Sequence, residues 1–95
     1  MTDYLCNHWA LELSIKARKD MHKLEKQVQK QIADYFDKNI LNLVNPRTKG
    51  KPLSGKLAGQ WRYRVGNYRI ICEIKDAKMV VLAISIGHRR EVYKT

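Results

Sequence analysis

The segment "WRYRVGNYRIICEIK", Trp61 to Lys75, decides how this sequence folds. Two runs of alternating apolar and polar side chains flank the dipeptide Gly-Asn at positions 66–67. A two-residue connection that contains glycine is typical of a tight β-hairpin, and the length of the turn sets the register of the two strands. The segment therefore predicts an antiparallel pair in which Arg64 lies directly opposite Arg69.

Alternation along these two strands separates an apolar face from a charged face. The apolar face carries Trp61, Tyr63, Val65, Tyr68, Ile70, Cys72 and Ile74. The opposite face, called the arginine face below, carries Arg62, Arg64, Arg69, Ile71 and Glu73. Like charges that oppose each other on neighbouring strands destabilise a sheet by up to about 1 kcal/mol, so the pairing of Arg64 with Arg69 indicates a functional demand. Glu73 is expected to be the internal counter-ion of this face, with general base as the alternative.

A third strand is predicted for "MVVLAISI", residues 79–86. The bulk of its side chains predicts that Val80, Leu82, Ile84 and Ile86 join the apolar face. Met79, Val81, Ala83, Ser85, Gly87 and Arg89 would then share the arginine face. Their small side chains would leave a concavity on which Arg62, Arg64, Arg69 and Arg89 converge.

The first half of the chain predicts a strand followed by helix. In "HWALELS", residues 8–14, alternation turns Trp9, Leu11 and Leu13 inward. Apolar residues from 17 to 43 then recur at helical spacing, which allows one long helix over 14–44 or two helices with a break near Leu24–Glu25. Residues 44–59 are basic and rich in glycine and predict a long loop. With 95 residues, the chain has room for one domain, residues 1–95.

The distribution of charge indicates a polyanionic partner. The chain has 19 basic and 9 acidic side chains, a net charge of +10. Residues 47–95 hold twelve of the basic and three of the acidic side chains, which is +9. Solubility does not require such segregation, whereas a concentrated positive field attracts nucleic acid or an acidic protein segment.

Other features narrow the class of protein. No apolar run approaches the roughly eighteen residues that a membrane helix needs, and the N-terminus lacks the pattern of a signal peptide. Cys6 and Cys72 have neither disulfide-scaffold nor metal-ligand spacing. We therefore expect a cytoplasmic protein with no membrane association and no cofactor.

The residues near the end of the third strand, "GHRREVY", favour binding of single-stranded RNA and leave open whether the site also cuts it. Guanidinium groups bind phosphate oxygens, and the Tyr93 ring offers a surface on which an unpaired base can stack. His88 has an ordinary pKa near neutrality, so acid–base work and simple binding are both open for it. No metal is needed when the RNA 2′-OH is the nucleophile. The expected RNA-binding residues are Lys49, Lys51, Lys56, Arg62 and Arg90.

These motifs carry a family resemblance. "PLSGKLAGQWRYRVGNYRI" and the closing "GHRREVY" resemble the C-terminal half of RelE toxins of the RelE/ParE superfamily. The segment "KARKDMHKLEKQVQKQI" is similar to the helical hairpin of the same family. The resemblance implies an α+β fold, with two N-terminal helices packed on a small antiparallel sheet, and it favours the break near Leu24–Glu25.

The resemblance also implies a function. Such toxins belong to type II toxin–antitoxin systems and are metal-independent endoribonucleases that enter the ribosomal A site and cleave mRNA through 2′-OH attack. Their partners are the ribosome, mRNA and a cognate RelB-like antitoxin, for which the +9 half predicts an acidic segment. A ParE-like poison of DNA gyrase and an RNA-binding module without chemistry remain the alternatives.

Position by position, the resemblance assigns roles to several residues. Arg69 corresponds to a phosphate-binding arginine, Arg89 to an arginine that assists the leaving group, and Tyr93 to a tyrosine that stacks on the base. Arg62 or Arg64 stands where other members have a catalytic lysine, and an arginine is a much poorer proton acceptor. Either charge alone activates the phosphate, or His88 acts as acid or base. The expected catalytic set is Arg64, Arg69, His88, Arg89 and Tyr93.

Overall fold

The computed structural model describes residues 9–88, which form a five-stranded sheet with two α-helices packed on one face. The strands are β1 (Ala10–Leu13), β2 (Lys51–Pro52), β3 (Trp61–Val65), β4 (Tyr68–Lys75) and β5 (Val80–His88), and the helices are α1 (Ile15–His22) and α2 (Lys26–Asn39). The strand order is β1-β5-β4-β3-β2. The α+β class is confirmed, although β1 pairs with β5 in parallel and only the other neighbouring strands are antiparallel.

The helical segment breaks where the second alternative placed the break. The amides of Lys23 and Leu24 donate back to the carbonyls of Asp20 and Met21, at 3.2 and 3.0 Å, and so close the last turn of α1. Glu25 is extended, with ψ at 150°, and α2 begins after it. One long helix over 14–44 is therefore wrong, and two shorter helices pack against the sheet.

The side chains of Ser14, the N-cap of α1, and of Asp20 within α1 form hydrogen bonds to β5 beyond the end of β1. The Ser14 hydroxyl donates to the carbonyl of Ile84 at 2.9 Å and accepts the amide of Ala17 at 3.0 Å, which caps the helix. Further along α1, the Asp20 carboxylate accepts a hydrogen bond from the amide of Ile86 at 3.0 Å. These bonds fasten α1 along the edge of β5 that β1 leaves uncovered.

The hairpin has the predicted register. Arg64 lies opposite Arg69, and Val65 lies opposite Tyr68. Gly66, the first of the two turn residues, has a φ of +60°, a conformation that glycine adopts without the penalty other residues incur. The two faces of β3 and β4 therefore have the composition that alternation predicts.

The predicted facing of β5 is wrong over its first half. Ile71 pairs with Ser85 but Cys72 pairs with Ala83, so Ile84 is an extra residue in a β-bulge. The extra residue inverts the alternation before it, and Val81 and Ala83 face the helices while Val80 and Leu82 face away. After the bulge, the predicted face is confirmed for Ser85, Ile86 and Gly87. Met79, expected on the arginine face, packs against the core.

The core lies between the helices and the apolar sheet face. Its nearly inaccessible members are Trp9, Ala17, Ile32, Phe36, Ile40, Tyr63, Ile70, Cys72, Val81, Ala83 and Ile86. Leu11 and Leu13 pack against this cluster, which confirms that β1 faces inward at these positions. Ala17 and Ala83 are both buried, and such small side chains let α1 approach β5 closely. Among residues 9–88, neither helix has the length and apolar character needed to cross a bilayer.

The predicted loop over residues 44–59 is held in place by hydrogen bonds to β3. The buried Tyr63 hydroxyl donates to the carbonyl of Pro46 at 2.7 Å, and the Trp61 indole donates to the carbonyl of Lys49 at 2.6 Å. The loop also contains β2, a two-residue strand that its glycine and proline content did not predict. Its backbone therefore lies along the outer edge of the sheet.

Candidate nucleic-acid interface

The arginine face presents cations from two adjacent strands on the side of the sheet away from the helices. Arg64 is exposed, whereas Arg62 and Arg69 are partly buried, and the Nε atom of Arg69 is fully buried. Arg64 and Arg69 are directly opposed, which places both side chains next to each other on the same face of the sheet. Since both helices pack on the other face, no helix within the described part of the chain covers these arginines.

The residues of β5 that pair with the arginine face near Arg69 are small. Arg69 lies opposite Gly87, and Ile71 lies opposite Ser85, so small residues border the cations on that side. Glu73 lies further along β4 and its carboxylate is 3.4 Å from the Lys75 ammonium group. The arrangement suits a phosphate that two arginines approach from β3 and β4.

His88 lies on the other side of the sheet from the opposed arginines. It pairs with Tyr68, and the two rings meet edge to face with centroids 5.9 Å apart. Together with residues of α1 it borders a cavity of about 350 Å³, lined by Asp20, Lys23, Leu24, Tyr68, Ile86, Gly87 and His88. The structure therefore does not bring the imidazole of His88 together with Arg64 and Arg69.

Three of the expected site residues lie outside the described residues. These are Arg89, Arg90 and Tyr93, which follow β5 directly in the sequence. Gly87, two residues before Arg89, pairs with Arg69. The roles expected of the three residues remain predictions.

The loop lysines are exposed but differ in their relation to the arginines. Lys51 belongs to β2 and lies opposite Arg62 on β3. Lys49 is anchored near the same strand through its carbonyl, which accepts the Trp61 indole N–H. Lys56 lies in a short 3₁₀ turn beyond β2. Of the three, Lys51 is the one that strand pairing brings beside the arginine face.

Arg47 has a structural partner. Its guanidinium binds the Asp76 carboxylate with two hydrogen bonds, at 3.0 and 2.8 Å, and so ties the loop to the connection between β4 and β5. The hydrogen bonds from Arg47 hold the pKa of the Asp76 carboxyl below its ordinary value. This arginine therefore positions the loop that carries Lys49 and Lys51.

A groove at the outer edge of β3 contains a residue that the sequence did not single out as functional. The groove has a volume of about 300 Å³ and is lined by Tyr35, Gly50, Lys51, Arg62 and Arg64. Tyr35 comes from α2, beside the fully buried Phe36. Adjacent residues on a helix point about 100° apart, so two neighbouring rings cannot both point to the centre of the core. The Tyr35–Phe36 pair was therefore the feature of the sequence that could have indicated an aromatic ring at the border of the core.

Fold and charge together define a small α+β protein whose sheet has one face covered by helices and one face carrying cations. The family model described as ParE toxin of type II toxin–antitoxin systems, parDE, matches residues 11–93. The chain therefore belongs to this toxin family, and its relatives place it with the RelE-type toxins of the RelE/ParE superfamily.

Toxin RelG of Mycobacterium tuberculosis is 28% identical over 86 residues, which cover 90% of this chain and 97% of that protein. The toxin–antitoxin complex RelBE2 of the same organism contains a chain with 27% identity and a TM-score of 0.77, covering 88% of this chain and 94% of that one. An arginine-to-alanine double mutant of Escherichia coli toxin RelE in the free state gives 26% identity and a TM-score of 0.71, with 92% of this chain and 88% of that one covered.

Proposed function

We propose that this toxin is an endoribonuclease that cleaves mRNA in the A site of the ribosome. The observation that carries the proposal is the direct opposition of Arg64 and Arg69 on a sheet face that no described helix covers. Like charges directly opposite each other cost stability, and the phosphate of an RNA backbone is an anion that two arginines can bind together.

The proposed reaction is an internal transesterification. The 2′-oxygen attacks the adjacent phosphorus, the bond from phosphorus to the 5′-oxygen breaks, and the products carry a 2′,3′-cyclic phosphate and a 5′-hydroxyl group. One proton leaves the 2′-OH and one proton is added to the departing 5′-oxygen. Arg64 and Arg69 stabilise the extra negative charge that develops on the phosphoryl oxygens.

The structure bears on the choice between activation by charge and an acid–base role for His88. His88 contacts Tyr68 on the helix side of the sheet, away from the opposed arginines. The proposal therefore assigns phosphate activation to Arg64 and Arg69. Arg89 is proposed to assist the leaving group, and Tyr93 is proposed to stack on a base of the message.

A cognate antitoxin is the proposed regulator. The similar chain of Mycobacterium tuberculosis was solved as a toxin–antitoxin complex, and the E. coli RelE mutant was also solved with an antitoxin peptide. We expect the antitoxin of this toxin to present an acidic segment, because residues 47–95 carry a net charge of +9. A neighbouring gene product without such a segment would count against this regulator.

Primer extension on ribosome-programmed mRNA tests the activity. The wild-type toxin should yield ends within the codon held in the A site, and Arg69→Ala and Arg89→Ala should yield about a hundredth of that product or less. His88→Ala should keep most of the activity. Lys30→Ala, an exposed charge change on α2, is the matched control. DNA breaks without mRNA cleavage would overturn the proposal in favour of a gyrase poison.

A further inference from the structure

The groove lined by Tyr35, Lys51, Arg62 and Arg64 lies where the sheet edge opens. Strand β2 pairs with β3 only at Lys51–Arg62 and at one further position, so β3 continues past the end of its partner. The groove volume of about 300 Å³ is at the lower end of ligand pockets, a size that suits a single nucleotide unit. It adjoins the opposed arginines because Arg64 belongs to both.

The ring of Tyr35 packs against two other rings beside this groove. It meets Phe36 edge to face with centroids 5.7 Å apart, and it is tilted against Tyr63 at 6.5 Å. Tyr63 is itself fixed by its hydrogen bond to the Pro46 carbonyl. Burial raises the pKa of the Tyr35 hydroxyl, which therefore stays protonated as a hydrogen-bond donor. A rigid aromatic ring loses little conformational entropy when a flat ligand stacks on it.

The remaining lining is cationic and open. Lys51, Arg62 and Arg64 line the groove together with the ring, and no acidic residue between positions 9 and 88 lines it. Gly50 completes the lining, and a Cβ atom there would lie 2.5 Å from the Arg62 carbonyl oxygen. Glycine is required at this position for the loop to pass so close to β3. An acidic peptide would use the cations alone, whereas a nucleotide uses both the cations and the ring.

We infer that this groove binds the nucleotide next to the scissile phosphate, with its base against Tyr35 and its phosphate on Lys51 and Arg62. Arg64 borders the groove and remains with Arg69 on the scissile phosphate. The inference rests on the proposed function and adds to it a residue of α2 that selects for an unpaired base. Tyr35 would then be a binding residue for RNA that neither the charge of the chain nor its closing motif indicates.

Binding of short RNA by the intact toxin tests the inference without the ribosome. The probe is a single-stranded tetranucleotide RNA, compared with the same backbone lacking its bases, and fluorescence anisotropy measures the affinity. Tyr35→Ala should weaken binding of the intact RNA about five-fold or more and leave binding of the abasic backbone unchanged. Tyr35→Phe should retain most of the affinity, because it keeps the ring.

The controls separate this inference from the proposed function. Lys30→Ala, also on α2, should bind both probes as the wild type does. Equal loss of both probes on Tyr35→Ala would mean a structural role only, and it would overturn the inference while leaving mRNA cleavage standing. Equal affinity of the wild type for intact and abasic RNA would overturn it as well. If the wild-type toxin bound RNA in a base-dependent way but did not cleave mRNA on the ribosome, the proposed function would be overturned and the inference would stand.

Discussion

The two faces of the same sheet differ in both burial and charge. On the helix side, Tyr63, Ile70 and Cys72 are fully buried, and that burial raises the pKa of the Cys72 thiol and favours its neutral form. On the opposite side, the same two strands carry Arg62, Arg64 and Arg69. Because neighbouring residues point to opposite faces, these core residues and the arginines that are proposed to bind RNA occupy alternate positions of one hairpin.

The largest expected effect on stability comes from a substitution in the core, on the helix side of the sheet. Ile70 is fully buried, and Ile70→Ala should lower the free energy of unfolding by about 2–5 kcal/mol. Arg64 on the neighbouring strand is exposed and faces away from the helices, and Arg64→Ala should change stability by less than about 1 kcal/mol while mRNA cleavage falls. Urea unfolding and primer extension measure the two quantities. If both variants lost stability equally, the division of roles between the faces would be wrong.

A smaller effect is expected where α1 meets β5. Asp20 accepts the partly buried amide of Ile86, so Asp20→Ala should lower the free energy of unfolding by about 1–3 kcal/mol. Asp20→Asn keeps an acceptor oxygen and should lose clearly less. Urea unfolding of the two variants gives the comparison, and an equal loss would mean that the charge of Asp20, which also binds Lys16, matters more than the amide.

Removing one of the opposed charges on the arginine face should increase stability, whereas the core substitution lowers it. Arg64→Thr removes one of the two facing cations and should raise the free energy of unfolding by up to about 1 kcal/mol at low salt, while RNA cleavage falls. Arg64→Lys keeps the opposition and should leave stability unchanged. The gain in Arg64→Thr should shrink as salt screens the charges, and a gain that is insensitive to salt would point to another cause.

The smallest effect concerns the loop that borders the arginine face. Since the folded pKa of Asp76 lies below its ordinary value of 3.8, the ion pair with Arg47 contributes stability above that value. The contribution is lost as the pH falls through the lowered folded pKa. Asp76→Asn should remove this part of the pH dependence in urea unfolding between neutral and acidic pH. An unchanged profile would show that the exposed pair adds nothing measurable.

Much of the fold follows from local patterns. The Gly-Asn turn sets the register that opposes Arg64 and Arg69, and alternation assigns the faces of β3 and β4. The bulge at Ile84 escaped the pattern because neither glycine nor proline marks it, and reading β5 by bulk then misplaced Val81 and Ala83. Both residues are small enough for α1 to approach, a requirement that arises only when the helix is in place.

The candidate site was also predictable from the sequence only in part. The opposed arginines were predictable from one hairpin, and Lys51 was predictable as a basic loop residue. The position of His88 was not, because it depends on a strand pairing that brings its ring against Tyr68. Tyr35 joins the arginines only because α2 crosses the sheet near the open edge of β3.

The amino-acid order by itself determined the hairpin, its cationic face and the positive charge of the second half, since these depend on neighbours close in the chain. Tertiary structure alone decided the facing of β5, the separation of His88 from the arginines and the groove beside Tyr35. The physical reason is that these features need contacts between segments far apart in sequence. Such contacts depend on how the elements pack, and the local preference of a segment for helix or strand does not predict them.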